Sequence, residues 1–220
     1  MMSSEQSPRK LFTVLRQFVR EKAPLELCEI CSAALLPEHP HLVELSSRQL
    51  ICTCDACAVR FSDQGDDQYR RVPRRIQFLR DFHMTDVQWE SLMLPVGMAF
   101  FFKSTSAGKV AAFYPSPAGA TESLLSLESW EEILENNPVL KGMKPDVEAF
   151  LVNRIGSARE YYLVPIDACY ELVGIIRLHW RGFSGGSKVW EEIGRFFDRL
   201  KEKSAGGTPA SPPPRGDSYA

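Results

Sequence analysis

The chain has 220 residues, 44% of them hydrophobic and 25% charged, with a formal net charge of −2. A balance so near neutral gives no global field for nucleic acid or an acidic membrane. No apolar run approaches the roughly 18 residues of a membrane span, and no apolar core follows the polar start "MMSSEQSPRK", so neither an anchor nor a signal peptide is expected. The expected compartment is the cytoplasm, where clustered cysteines point to metal or redox chemistry before disulfides.

Taken in chain order, residues 1–24 are a polar tail and a helix. Ser7 and Pro8 supply an N-cap and a first helical position, and Leu11, Leu15, Phe18 and Val19 follow at helical spacing. The helix is expected to stop at Ala23, because Pro24 disfavours helical geometry in the residue before it. Residues 25–68 hold five of the six cysteines and form the candidate metal module. Residues 69–84, beginning "YRRVPRRIQFLR", are read as a basic linker.

Residues 85–203 have the composition of a packed core. Thr85 with Gln88 makes a capping box for a short helix through Leu94. "VGMAFFFK" and "KVAAFYP" flank a polar turn and predict a hairpin, its first strand apolar enough to be central. "SLESWEEILEN" is helical, and "VEAFLVNRI" and "EYYLVPI" predict two more strands. Asp167 is placed as the N-cap of a helix carrying Cys169, Leu172, Val173 and Ile176. After "GFSGG", Val189, Trp190, Ile193, Phe196, Phe197 and Leu200 give the clearest amphipathic pattern. Residues 204–220 have the composition of a disordered tail. The fold class is therefore α+β: an N-terminal helix, a small zinc-ribbon-like module of four cysteines, and an antiparallel sheet of about four strands covered by helices.

The metal signal lies in two Cys-x-x-Cys pairs, Cys28 with Cys31 and Cys54 with Cys57. Between them "HLVEL" and "QLICT" alternate about Ser46-Ser47-Arg48 and can form a hairpin. Knuckle, hairpin, knuckle is a zinc-ribbon layout, with four thiolates closing a tetrahedral site. A segment this short cannot bury enough core to fold alone, and structural zinc supplies roughly 10–16 kcal/mol of apparent binding energy. Iron is the alternative metal, since four tetrahedral thiolates suit either. Rubredoxin-like sites generally follow each pair with Gly, and here Ser32 and Ala58 occupy those positions, which favours zinc.

Cys52, His41 and His39 are possible alternate ligands or groups behind the ligands. If Leu45 pairs with Leu50, Val43 faces Cys52 and His41 faces Cys54. Cys52 is then either a small buried apolar side chain or a thiol made acidic by the nearby metal, open to ligand exchange or redox sensing.

Other constellations fail on context. "GFSGG" has the letters of a nucleophile elbow, but no histidine follows Ser184 in the chain. The same turn, with Arg181, Gly185, Gly186 and Lys188, could receive an anion on free N–H groups; a tight interhelical turn that needs glycine is the simpler reading. Arg70, Arg71, Arg74, Arg75 and Arg80 form a basic stretch beside the module, with little aromatic interleaving for base stacking, so nucleic-acid binding is not expected. No catalytic residue is identified, and the chain is not expected to be an enzyme.

"CEIC", "EHPHLVEL", "LICTCDACAVRF", "PVGMAFFF", "FYPSPAGATESLL" and "LVPIDACYELVGIIRLHWRGFSGG" together resemble an uncharacterised bacterial family, found mainly in actinobacteria. Its members are encoded beside nickel–iron hydrogenase genes. The resemblance implies a metal-binding accessory protein whose partners are hydrogenase subunits or maturation factors. It carries no catalytic residues to transfer. The alternatives are a rubredoxin-like electron-transfer module, a metallochaperone or thiol redox sensor, and a zinc-ribbon nucleic-acid binder.

Overall fold

A computed structural model describes residues 26–62, 68–123 and 127–205. The helix expected before Ala23 and the tail expected beyond residue 205 lie outside the described residues.

In chain order the elements are β1 (His41–Glu44), β2 (Gln49–Cys52), α1 (Asp55–Ser62), β3 (Tyr69–Arg71), β4 (Gln77–Phe78), α2 (Asp86–Ser91), β5 (Met98–Ser104), β6 (Lys109–Ser116) and β7 (Gly119–Ser123). They continue with α3 (Leu127–Asn136), a 3-10 turn (Pro138–Gly142), β8 (Glu148–Asn153), β9 (Glu160–Pro165), α4 (Ile166–His179) and α5 (Gly186–Ala205). The fold is α+β, and every strand pairing is antiparallel.

The larger sheet has six strands in the order β4-β9-β8-β5-β6-β7, against the four expected. Its central strands β5 and β8 carry continuous apolar runs, residues 98–102 and 149–152, because both faces are covered. Side chains alternate across a strand, and the two packed cores divide accordingly. Met98, Phe100 and Phe102 of β5 join Leu151 of β8 and Tyr162 and Val164 of β9 in a core under α4 and α5. Ala99, Phe101, Phe150, Val152, Tyr161 and Leu163 meet Leu92, Trp130, Ile133 and Leu140 on the opposite face. The layers are helix pair, sheet, helices.

Local chemistry sets the helix ends. The capping box forms as the sequence predicts: the Gln88 N–H donates to Thr85 Oγ1 at 3.1 Å and the Thr85 N–H to Gln88 Oε1 at 2.9 Å. The N-cap of α4 is Pro165, not Asp167, which falls inside the first turn with its carboxylate free for another partner. Helix α5 buries Val189, Ile193, Phe196, Phe197 and Leu200 of the predicted stripe, whereas Trp190, also placed in it, is 42% exposed. Gly185 makes the preceding turn possible: its φ is +86°, and a Cβ there would lie 2.8 Å from Val189 Cγ1.

The smaller sheet has the order β2-β1-β3. The segment expected as a linker supplies its third strand, β3, and the edge strand β4 of the larger sheet. Two of its arginines pair inward. Arg70 donates to Asp146 at 2.9 Å, and Arg75 lies 3.4 Å from Glu148, which is 2% exposed. Val43 of β1 and Val72 after β3 complete the seam by packing into the core under α4 and α5.

Candidate metal centre

The four cysteines of the two pairs come together, their sulfurs all within 4.8 Å of one another. The first pair sits on a tight turn. The Ser32 N–H donates to the Cys28 carbonyl at 2.7 Å and the Cys28 N–H to the Ala33 carbonyl at 2.8 Å. Ser32 takes φ +61°, the left-handed conformation glycine usually supplies in such a turn. The second pair is built differently from the expected ribbon. Cys54 stands just before α1 and Cys57 lies in its first turn, where the Ala58 N–H donates to the Cys54 carbonyl at 2.9 Å. The order is knuckle, hairpin, helix, so the second pair stands on a helix N-terminus, whose unpaired N–H groups favour anionic sulfur.

Glu29 locks the two halves together. Its N–H donates to the Cys52 carbonyl at 2.9 Å, and its carboxylate accepts from the Cys52 N–H at 2.7 Å. Across this clamp Cys31 Sγ and Cys54 Sγ are 3.7 Å apart. A tetrahedron with zinc–sulfur bonds of about 2.3 Å has sulfur–sulfur edges of about 3.8 Å, whereas a disulfide needs about 2.05 Å. All six cysteines are free thiols. The donor set and spacing fit a metal ion.

The thiols differ in acidity. Burial opposes ionisation of Cys28, but N–H groups of Cys54, Cys31 and Ile30 aimed at its sulfur outweigh it and bring the pKa down to about 6. Burial, with the neighbouring thiols after it, pushes Cys57 up to about 12. Four sulfurs this close cannot all ionise unless a cation sits among them.

The remaining possible ligands form a separate group. His39, His41 and Cys52 each place one ligand atom within 4.8 Å of the other two. The hairpin register differs from the predicted one by two residues: Val43 pairs with Leu50 and His41 with Cys52, not Cys54. Arg48 takes φ +59° and donates its N–H to the Glu44 carbonyl at 2.8 Å, which makes a four-residue turn of Leu45 to Arg48. His41 Nδ1 lies 2.8 Å from Asp167 Oδ2 on α4, a bond across 126 positions. With no ion beside it, burial, then the charges of Glu29 and Glu26, push the Cys52 pKa up. His39 and His41 line a cleft of about 1440 Å³ between the module, the arginine segment and the ends of α4 and α5.

At the glycine turn before α5, considered for an anion, both cationic side chains have partners within the chain. The Arg181 guanidinium donates to the Trp180 carbonyl at 2.8 Å, and Lys188 pairs with Glu192 at 2.7 Å. The Arg181 N–H is itself bonded to the Gly185 carbonyl at 3.0 Å. Sequence reasoning missed Asp167 and Glu29. Asp167 carried only the signal of a cap; Glu29 lay between two cysteines with nothing to mark its bonds to Cys52.

No helix among the described residues is long and apolar enough to cross a membrane. A family of unknown function (DUF5947) matches residues 27–204, and the chain belongs to it. No curated protein and no solved structure matches.

Proposed function

We propose that the protein is a non-catalytic, metal-dependent accessory protein of the cytoplasm, in which Cys28, Cys31, Cys54 and Cys57 hold one structural zinc ion. The observation that carries this reading is the convergence of four thiols from a knuckle and a helix N-terminus, with a 3.7 Å sulfur–sulfur edge. Four protein ligands fill a tetrahedral shell and leave no position for a reacting water. The ion then ties the first cysteine pair to the second and fixes the shape of the module, and the surface the module forms beside the larger sheet is what a partner protein meets. The likeness of the long strings around both cysteine pairs to a hydrogenase-associated bacterial family makes hydrogenase subunits or their maturation factors the partners of choice.

Iron at the same thiols, passing single electrons, is the second reading. The three N–H groups aimed at Cys28 favour it, because hydrogen bonds to sulfur tune the potential of iron–thiolate centres. Protein purified from its native host decides between them. The expectation is a colourless protein with zinc at the four thiols that co-purifies with hydrogenase components. A red, reducible protein overturns zinc, and a metal-free four-cysteine module with native hydrogen exchange overturns both. Co-purification with no hydrogenase component would overturn the partner assignment alone.

A further inference from the structure

We propose that His39, His41 and Cys52 form a second metal site, separate from the four thiols, taking a transition-metal ion of the zinc–copper class. Hydrogen bonding fixes both imidazole tautomers. The Leu36 carbonyl, 2.9 Å from His39 Nδ1, can only accept, so that nitrogen carries the proton and Nε2 keeps its lone pair. The Asp167 carboxylate does the same for His41 at 2.8 Å. A ligating histidine typically has its far nitrogen held in this way by a carboxylate or a carbonyl.

The second observation is a bare acceptor inside the protein. The His39 side chain is 7% exposed, and its Nε2 makes no hydrogen bond among the described residues. An unpartnered buried polar atom calls for an explanation, of which an ion is one. The strand register brings Cys52 opposite His41, and the two rings meet edge to face at 4.8 Å. Two imidazoles and one thiol are too soft a set for magnesium or calcium and suit zinc or copper. Three protein ligands leave a fourth position open, as catalytic zinc sites do. Because His39 and His41 line the cleft, a small ligand there can reach it.

Cys52, His41 and Asp167 could instead be read as nucleophile, base and orienting acid. The Cys52 N–H, however, is donated to the Glu29 carboxylate, so it is not free to stabilise an oxyanion. A triad also leaves His39 Nε2 without a purpose.

The test is metal stoichiometry of the full-length protein under reducing conditions, titrated with Zn2+ in one arm and Cu+ in another. Two ions per chain are expected in at least one arm. His39→Gln, His41→Ala and Cys52→Ser should each bind one fewer, with unchanged circular dichroism. Cobalt substitution adds a second readout, since the sulfur-to-cobalt absorption of the second equivalent should vanish in Cys52→Ser. One ion in the wild type in both arms, or two retained in all three variants, overturns the site. If that single ion is lost in Cys57→Ser, the four-thiol centre stands by itself. If Cys57→Ser loses nothing while Cys52→Ser loses an ion, the proposed function fails and the second site survives.

Discussion

The metal module and the six-stranded sheet lie side by side and are held together by different physics. The sheet is covered on both faces and buries Phe100, Phe101, Phe150 and Tyr162 completely. Among the described residues of the module the only large side chain so buried is Leu42, helped by Val43, Ala58 and the thiols of Cys28 and Cys57. Its remaining stability has to come from bonds, to the proposed ion at one end and across the Arg70, Arg75 and His41 seam at the other. An apolar core degrades gradually when trimmed, whereas a ligand set fails when a single member is lost.

The largest separation of the two regions should come from metal removal. Cys57→Ser, or a strong chelator, should strip hydrogen-exchange protection from residues 27–62, forfeiting much of the roughly 10–16 kcal/mol that such sites supply. Amides of β5, β8 and β9 should stay protected, and uniform loss across the chain would contradict a division into two regions. The converse is Phe150→Ala, which should cost about 3–5 kcal/mol in urea unfolding. Metal bound per folded molecule should not change; a variant that also sheds its metal would show one cooperative unit.

The seam itself should be worth less. Arg75→Ala leaves Glu148 buried with only the Lys144 N–H, at 2.9 Å, as its remaining partner among the described residues, and should cost about 1–3 kcal/mol. A double-mutant cycle with Glu148→Gln measures it, and additivity of the two changes would show that the pair contributes nothing.

The smallest effect concerns Tyr162. Burial, then the charges of Glu160 and Asp198, raises its pKa well above 10, although the hydroxyl has no hydrogen-bond partner among the described residues. The folded state therefore holds this proton more tightly than the unfolded chain does. The stability so gained is complete below the unfolded pKa of about 10 and is lost as pH rises above it. Tyr162→Phe should flatten that alkaline decline relative to wild type while changing neutral stability by about 1 kcal/mol or less. Parallel declines in the two proteins would contradict the assignment.

What could be read in the sequence was what leaves a local pattern. Strands β5, β6, β8 and β9 follow from apolar runs, α5 from its stripe, and the Thr85 cap from residue types three apart. Strand β7, "GATES", has no apolar run, and β4 is only two residues long, so neither stood out. The hairpin register slipped by two because nothing in Leu45 to Arg48 announces that Arg48 adopts a positive φ. The slip kept every side chain on its face, since strands repeat every two residues, but it moved His41 from Cys54 to Cys52. That displacement is the difference between one metal cluster and two. The helix that carries Cys57 and starts just after Cys54 was hidden because "DACAVRFS" has little amphipathic contrast. The bond from His41 to Asp167 has no local signature at all.

Strand β4 pairs with β9 through Gln77 opposite Leu163 and Phe78 opposite Tyr162. The surface that receives the module is thus finished by chain made much later. At ribosomal rates of about 5–20 residues per second, Asp167 leaves the synthesis machinery on the order of ten seconds after Cys57. All four thiols have by then left the ribosome, so the proposed ion can be met before the sheet that receives the module is complete.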